Sequence, residues 1–219
     1  MQNFKIPKEK IEYKTLEEMQ ILWNVIIDDD SKPKEIRLRI YAFTYTLFFG
    51  GFRPGEFYGL KIKDIDYDVL NNDDITVDEI AIDIDTPLYY GKGGWTISDG
   101  KTDDSKDIVY IGKNAFQPLF KYIKYMQNSI NFTPNTFVMI NPKTNKVFSP
   151  EAIRKQINYY IDKTNLTHTK PKEMRSSHGT FLLSNGYSLE TVQSRLRHTK
   201  KNKQPKNIML HSTKKQNVI

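Results

Sequence analysis

Apolar positions in the first third of the chain recur every three to four residues. Leu16, Met19, Trp23 and Ile26 make one such stripe, which predicts a helix over 16–27. Thr15 stands where an N-cap belongs, and Glu18 three residues on completes a capping box. The segment from Asp28 to Lys34, with three aspartates and Pro33, breaks the pattern. A second helix is predicted from Glu35 to Gly50 through Leu38, Tyr41, Ala42, Tyr45, Leu47, Phe48 and Phe49. Its apolar density makes it central to the core, and the Gly50-Gly51 pair ends it. Pro54 and Gly55 open a shorter helix over 56–60.

The period then changes from helical to alternating. Strands are predicted at Ile80 to Asp85, around Trp95 to Ile97 and over Asp107 to Ile111, with Asp99-Gly100 as punctuation between the last two. Helices return at 115–130, 150–164, 175–184 and 189–197; Ser149-Pro150-Glu151 and Ser188 supply starts, and Asn185-Gly186 separates the last pair. Beyond Lys200 no apolar period continues, and neither an internal repeat nor a domain boundary follows residue 15. The expected class is α+β, mainly α, with a small three-stranded antiparallel sheet lodged among helices.

Composition narrows the function classes. The chain has 219 residues, 38% hydrophobic and 27% charged, which suits one globular domain. No run approaches the roughly 20 apolar residues of a spanning helix, and Met1 to Lys10 lacks the apolar stretch of a signal peptide, so a cytosolic protein away from membranes is expected. Zero cysteines exclude disulfides, thiolate zinc sites and cysteine nucleophiles, and four scattered histidines leave little for a histidine-rich metal site. There is no P-loop, no Gly-x-Ser-x-Gly and no His-Glu-x-x-His. Asp64, Asp66 and Asp68 alternate with Ile65 and Tyr67 but lack the glycine and distal glutamate of a calcium loop, so a solvated acidic loop and strand is expected there.

The net charge of +7 is unevenly spread. Asp64 to Asp85 holds nine acidic residues and no basic one, whereas His168 to Ile219 holds eleven lysines and arginines against two glutamates. Such a patch fits a polyanion, because neutralising phosphates releases condensed counterions and gives salt-sensitive binding; a solvated surface with a basic tail is the plainer alternative. Within it and beyond it, basic residues stand at the edges of elements: Arg53 after the apolar helix, Lys101 in a turn between strands, Lys172 and Arg175 opening a helix, His198 closing the next. Gathered together, they would supply the donors that a phosphate needs as its charge grows. Taken singly, each reads equally as surface charge.

The order of these residues resembles a known family. Phe49-Gly50-Gly51-Phe52-Arg53-Pro54-Gly55-Glu56, followed by Leu60 and Asp64-Ile65-Asp66, is similar to the first arginine box of the tyrosine recombinase (phage integrase) family. Gly100-Lys101-Thr102-Asp103-Asp104-Ser105 resembles its Lys-Thr-x-x-Ser turn. Lys172-Glu173-Met174-Arg175, then Phe181 to Gly186 and Val192 to His198, resemble the second arginine box and its Leu-Gly-His sequel. The likeness runs from about residue 13 to 211, and implies an integrase-like catalytic domain over 13–199, preceded by a remnant or linker at 1–12 and followed by a basic tail at 200–219. By this resemblance Arg53 and Arg175 clamp the scissile phosphate of duplex DNA, Lys101 protonates the leaving 5'-oxygen, and Lys172 and His198 donate to phosphate oxygens. Glu56 supports Arg53. Arg195, Lys200 and Lys201 add DNA contacts, and the C-terminal segment offers self-association. Strand exchange through a 3'-phosphotyrosyl link conserves bond energy, so neither nucleotide nor metal cofactor is implied.

Five departures accompany the likeness. Tyr187 is the last tyrosine of the sequence, and Met209 falls where the family carries its nucleophile, two places before His211. Lys172 takes the place of the usual histidine of the second box. Asp107 falls where an arginine commonly follows the Lys-Thr turn, and Arg197 replaces the glycine before the histidine. The ten or so residues before 13 are too few for the family's N-terminal helical domain of roughly 100 residues. Three functions therefore compete: a site-specific recombinase or integrase catalytic domain altered at its nucleophile, a DNA-binding remnant that keeps the phosphate pocket without cleavage, and a protein-interaction domain whose basic tail docks a partner chain.

Overall fold

The computed structural model describes residues 13–97 and 107–197. Lys101, His198, Lys200, Lys201 and the Met209 position lie outside the described residues, as do the segments 1–12 and 200–219.

The helical periods become helices close to their predicted bounds. α1 spans Leu16–Asp28 and starts on the anticipated box: Thr15 Oγ1 accepts from Glu18 N at 3.2 Å, while Glu18 Oε2 accepts from Thr15 N at 2.8 Å. α2 spans Lys34–Gly50 and packs against α1, against α5 (Lys113–Gln127), α6 (Pro150–Ile161) and α7 (Pro171–Ser184). Being surrounded, it buries more than one stripe: Ile40, Ala42, Phe43, Leu47 and Phe48 have no exposed surface, and Thr44 is buried as acceptor of the Trp23 indole N–H at 3.1 Å. Arg39 is buried too, held by Glu35 at 2.5 Å and stacked over the Phe148 ring. α3 (Pro54–Gly59), a short α4 (Tyr67–Asn71) and α8 (Leu189–Arg195) complete the helices of the described residues, with Ser149 and Ser188 capping α6 and α8 as expected. α7 begins at Pro171, four residues before the predicted start, because Glu173 reaches back to Lys170 N at 2.7 Å.

The alternating segments form strands, though paired differently from the expectation. β1 (Glu79–Ile84) lies antiparallel to β4 (Asp107–Gly112), with Ile80 opposite Ile111 and Ile82 opposite Val109, all four buried. The strand expected at 95–97 does not join them. It is β3 (Gly94–Ile97), and it pairs with an unforeseen β2 (Leu88–Gly91) in a separate hairpin. The three-stranded sheet is thus corrected to two-stranded antiparallel ladders, a third being β5 (Ile140–Asn141) with β6 (Lys146–Val147). The reason is packing: β2 leaves β1 at Asp85 to Leu88 and runs along α3, where the backbones nearly touch at Gly55 and Gly59.

The acidic run also differs from its expected solvated character at one position. Asp64 is 5% exposed and accepts from Lys61 N at 2.8 Å, closing a single 3-10 turn, and burial raises its pKa. Asp73 and Asp74 are exposed. No cluster of three metal-ligating side chains occurs among the described residues, and no helix among them is long and apolar enough to cross a membrane.

A Cβ added to Gly59 would overlap the Thr86 carbonyl oxygen, and a backbone atom cannot rotate away. Gly59→Ala is therefore expected to lower stability by about 2 kcal/mol, as overpacking does, read as a fall in denaturation midpoint at unchanged m-value. Gly93→Ala, at a position with open space around it, serves as the neutral comparison.

Candidate functional site

Gly51, in the left-handed region at φ 63°, ends α2 by donating its N–H to Leu47 O, and a Cβ there would press on the His178 ring at 2.7 Å. The chain then turns so that Arg53 becomes the N-cap of α3. Glu56, one turn into α3 and 4% exposed, accepts twice from Arg53: from its backbone N at 2.7 Å and from Nη1 at 2.6 Å. The Arg53 side chain remains 45% exposed. One carboxylate thereby fixes the helix start and aims the arginine outward.

Arg175 arrives at the same carboxylate from α7. Its Nη1 donates to Gly51 O at 2.6 Å and lies 4.0 Å from Glu56 Oε2, while its Nη2 donates to Leu196 O just past α8. The last carbonyls of α8 have no intrahelical partners and carry the negative end of the helix dipole, so they are suited to cations. Arg53 Nη2 donates to Arg197 O, two residues past α8, at 3.1 Å. Arg53 and Arg175, 122 positions apart in sequence, are thus brought to one carboxylate and to the successive carbonyls of Leu196 and Arg197.

Arg197 is the third guanidinium on Glu56. Its Nη2 donates to Glu56 Oε2, its Nε lies 3.8 Å from Asp107 Oδ2 at the start of β4, and its side chain is 5% exposed. The two charge departures noted in the sequence therefore face each other. Asp107 brings its carboxylate to Arg197. Burial, with Arg197 and Arg53 beside it, pushes the Arg175 pKa down to about 9, against the opposing pull of Glu56; the group stays charged at neutral pH. Burial likewise lowers Arg197, with Glu56 opposing.

Other expected residues fall elsewhere. Arg195, expected as a DNA contact, is 7% exposed: its guanidinium is buried beneath α8, where burial first and Arg197 second lower its pKa to about 10. It is a core cation and not a surface contact. Lys172 is exposed at the first turn of α7. His178, which the sequence did not single out, is fully buried against Gly51 and Leu196; burial, with Arg195 as the next cause, holds its pKa well below the ordinary value, so it is neutral and acts by packing. Its signal in the sequence was its place one turn after Arg175, facing the inner side of α7.

The sequence and the fold have counterparts. The phage integrase family matches residues 14–215, almost the whole chain. The chain belongs to the phage integrase family. Its catalytic-domain portion is similar to tyrosine recombinase XerA of Pyrococcus furiosus, at 27% identity over 199 residues, which is 90% of this chain and 57% of that protein. It is also similar to tyrosine recombinase XerC of Lactobacillus leichmannii, at 28% identity, covering 78% of this chain and 49% of the relative. The chain thus spans about half the length of the curated relatives it matches. In fold it resembles XerH recombinase bound to its difH substrate, with a TM-score of 0.63 at 21% identity, covering 89% of this chain and 50% of that one. The Tn1549 transposon integrase in complex with transposon right end DNA gives a TM-score of 0.66 at 17% identity, covering 89% of this chain and 60% of that one.

Removing the Glu56 charge leaves three guanidinium groups around a neutral centre. Breaking a buried ion pair from one side costs about 3 to 5 kcal/mol. Glu56→Gln, which keeps the shape, is expected to lower unfolding free energy by about 3 kcal/mol, measured by urea denaturation. Glu190→Gln on the exposed first turn of α8 should change it by less than about 0.5 kcal/mol.

Proposed function

We propose that this chain is the catalytic part of a site-specific recombinase or integrase, that it binds a phosphodiester of duplex DNA in the Arg53–Arg175 pocket, and that these 219 residues hold the phosphate without attacking it. The reading is carried by one observation: two arginines from distant segments share Glu56 while the Arg53 side chain stays 45% exposed. A buried pair would merely staple α3 to α7. An exposed guanidinium fixed from behind by a carboxylate presents its free donors to an incoming anion, and Arg donors match phosphate oxygens bidentately. The names of the relatives and the DNA held by the XerH and Tn1549 proteins support duplex DNA as the source of that phosphate.

In this reading Arg53 and Arg175 neutralise charge that grows on the nonbridging oxygens, and Lys172 at the α7 start adds a donor. Lys101 gives its proton to the leaving 5'-oxygen, and His198 donates to a phosphate oxygen. Residues 13–199 make up the catalytic domain, and the basic tail 200–219 adds nonspecific attraction. The attacking group is where the reaction stops: at Met209 a thioether has no proton to lose and forms no stable phosphoester.

Binding to a fluorescent duplex is expected at micromolar dissociation constants or weaker, largely independent of sequence, and steeply weakened between two salt concentrations. Arg53→Ala should reduce the slope of log K against log salt by about 0.9, the value of one phosphate contact. Equal affinity at both salts would overturn the phosphate reading.

The unmodified chain should form no covalent complex with a nicked suicide duplex on a denaturing gel. Met209→Tyr is expected to restore a covalent band, and adding Arg175→Ala should remove it. A band from the unmodified chain mapped to Tyr187 or any other tyrosine would show an active nucleophile and overturn binding without attack.

A further inference from the structure

Residue 197 contacts the Arg53–Glu56 pair at both ends. Arg53 Nη1 donates to Glu56 Oε1 at 2.6 Å, Arg197 Nη2 donates to Glu56 Oε2, and Arg53 Nη2 donates to the Arg197 carbonyl at 3.1 Å. These three bonds close a ring in which Arg53 is the exposed member. The ring depends on an unfavourable backbone: Arg197 has φ 54°, in the left-handed region that favours glycine. A buried arginine in that conformation combines backbone strain with desolvation, and such combinations persist where surrounding contacts over-determine them. Here the contacts are Glu56 on α3 and Asp107 on β4, at 3.8 Å from Nε.

We propose that Arg197 is a positioning residue: its guanidinium bridges Glu56 and Asp107, its carbonyl holds Arg53 Nη2, and together these set the direction in which Arg53 meets a phosphate. The left-handed backbone makes the double contact possible, because it turns the carbonyl and the side chain of one residue toward the same ion pair. Asp107 completes the arrangement from the strand side, since three guanidiniums on Glu56 alone would leave the cluster strongly cationic. Oppositely charged departures from the family pattern at 107 and 197 are in this view one coupled feature. Arg197 acts through Arg53 and not as a phosphate ligand, its side chain being 5% exposed.

The effect on binding rests on the reading of Arg53 as a phosphate ligand, so two measurements on the full chain are paired. The first needs no DNA. In 15N NMR of the arginine side chains, the Arg53 Nη–H resonances should be separate and slowly rotating in the parent, should coalesce in Arg197→Gly, and should be partly restored in Arg197→Lys. Glycine suits φ 54°, so Arg197→Gly is expected to keep its fold, checked by thermal unfolding. The second is a double-mutant cycle on duplex affinity. Arg197→Gly should weaken binding about tenfold, the size of one charge-assisted hydrogen bond, and Arg53→Ala with Arg197→Gly should bind no more weakly than Arg53→Ala alone. Additive losses would overturn the proposal, as would Arg53 resonances unchanged by Arg197→Gly. If Arg53→Ala leaves duplex affinity untouched, the phosphate reading fails, and the NMR comparison still decides the positioning role.

Discussion

The buried carboxylate of Glu56 is the constraint around which the pocket is arranged. It takes hydrogen bonds from the backbone and the side chain of Arg53 and from Arg197, and it lies 4.0 Å from Arg175. Guanidinium groups repel at these separations, and each would cost several kcal/mol to bury alone. A single anion at their centre changes the balance, and the carbonyls of Gly51, Leu196 and Arg197 satisfy donors that the carboxylate cannot reach. The side chains of the cluster are thus held in place by protein groups alone.

The fold serves that carboxylate from three directions. Gly51 ends α2 in a conformation that leaves its carbonyl free for Arg175, and it leaves room for the His178 ring beneath. α3 is anchored on its far side by close backbone contact between Gly55 and Gly59 and the strand that enters the β2–β3 hairpin. α8 ends with its carbonyls facing the arginines, held by Val192 and Leu196 packing against Leu182 on α7. Because α2 packs against α1, α5, α6 and α7, the segment carrying Arg53 starts from the buried core. Rigid support and an exposed guanidinium are compatible only because the carboxylate between them is buried.

Local order was legible in the sequence. Thr15 with Glu18, Ser149 before Pro150, and the alternation through Ile80, Ile82 and Ile84 act within one or two turns of chain, so their spacing alone determined α1, α6 and β1. The contact of Glu56 with Arg53 was implied by the resemblance of the segment 49–56 to the family's first arginine box, and the structure shows it. What spacing could not determine was which elements meet. The segment 95–97 has strand character whichever partner it takes, and only the approach of α3 to the chain at Thr86 and Leu88 placed it in a separate hairpin. Arg195 and Arg197 carry identical charge two residues apart, yet one is a core cation and the other closes the ring on Glu56. Asp107 and Arg197 read as two unrelated departures because 90 residues separate them. Burial and pairing are properties of the distances between segments, and those distances exist only once helices and strands have packed.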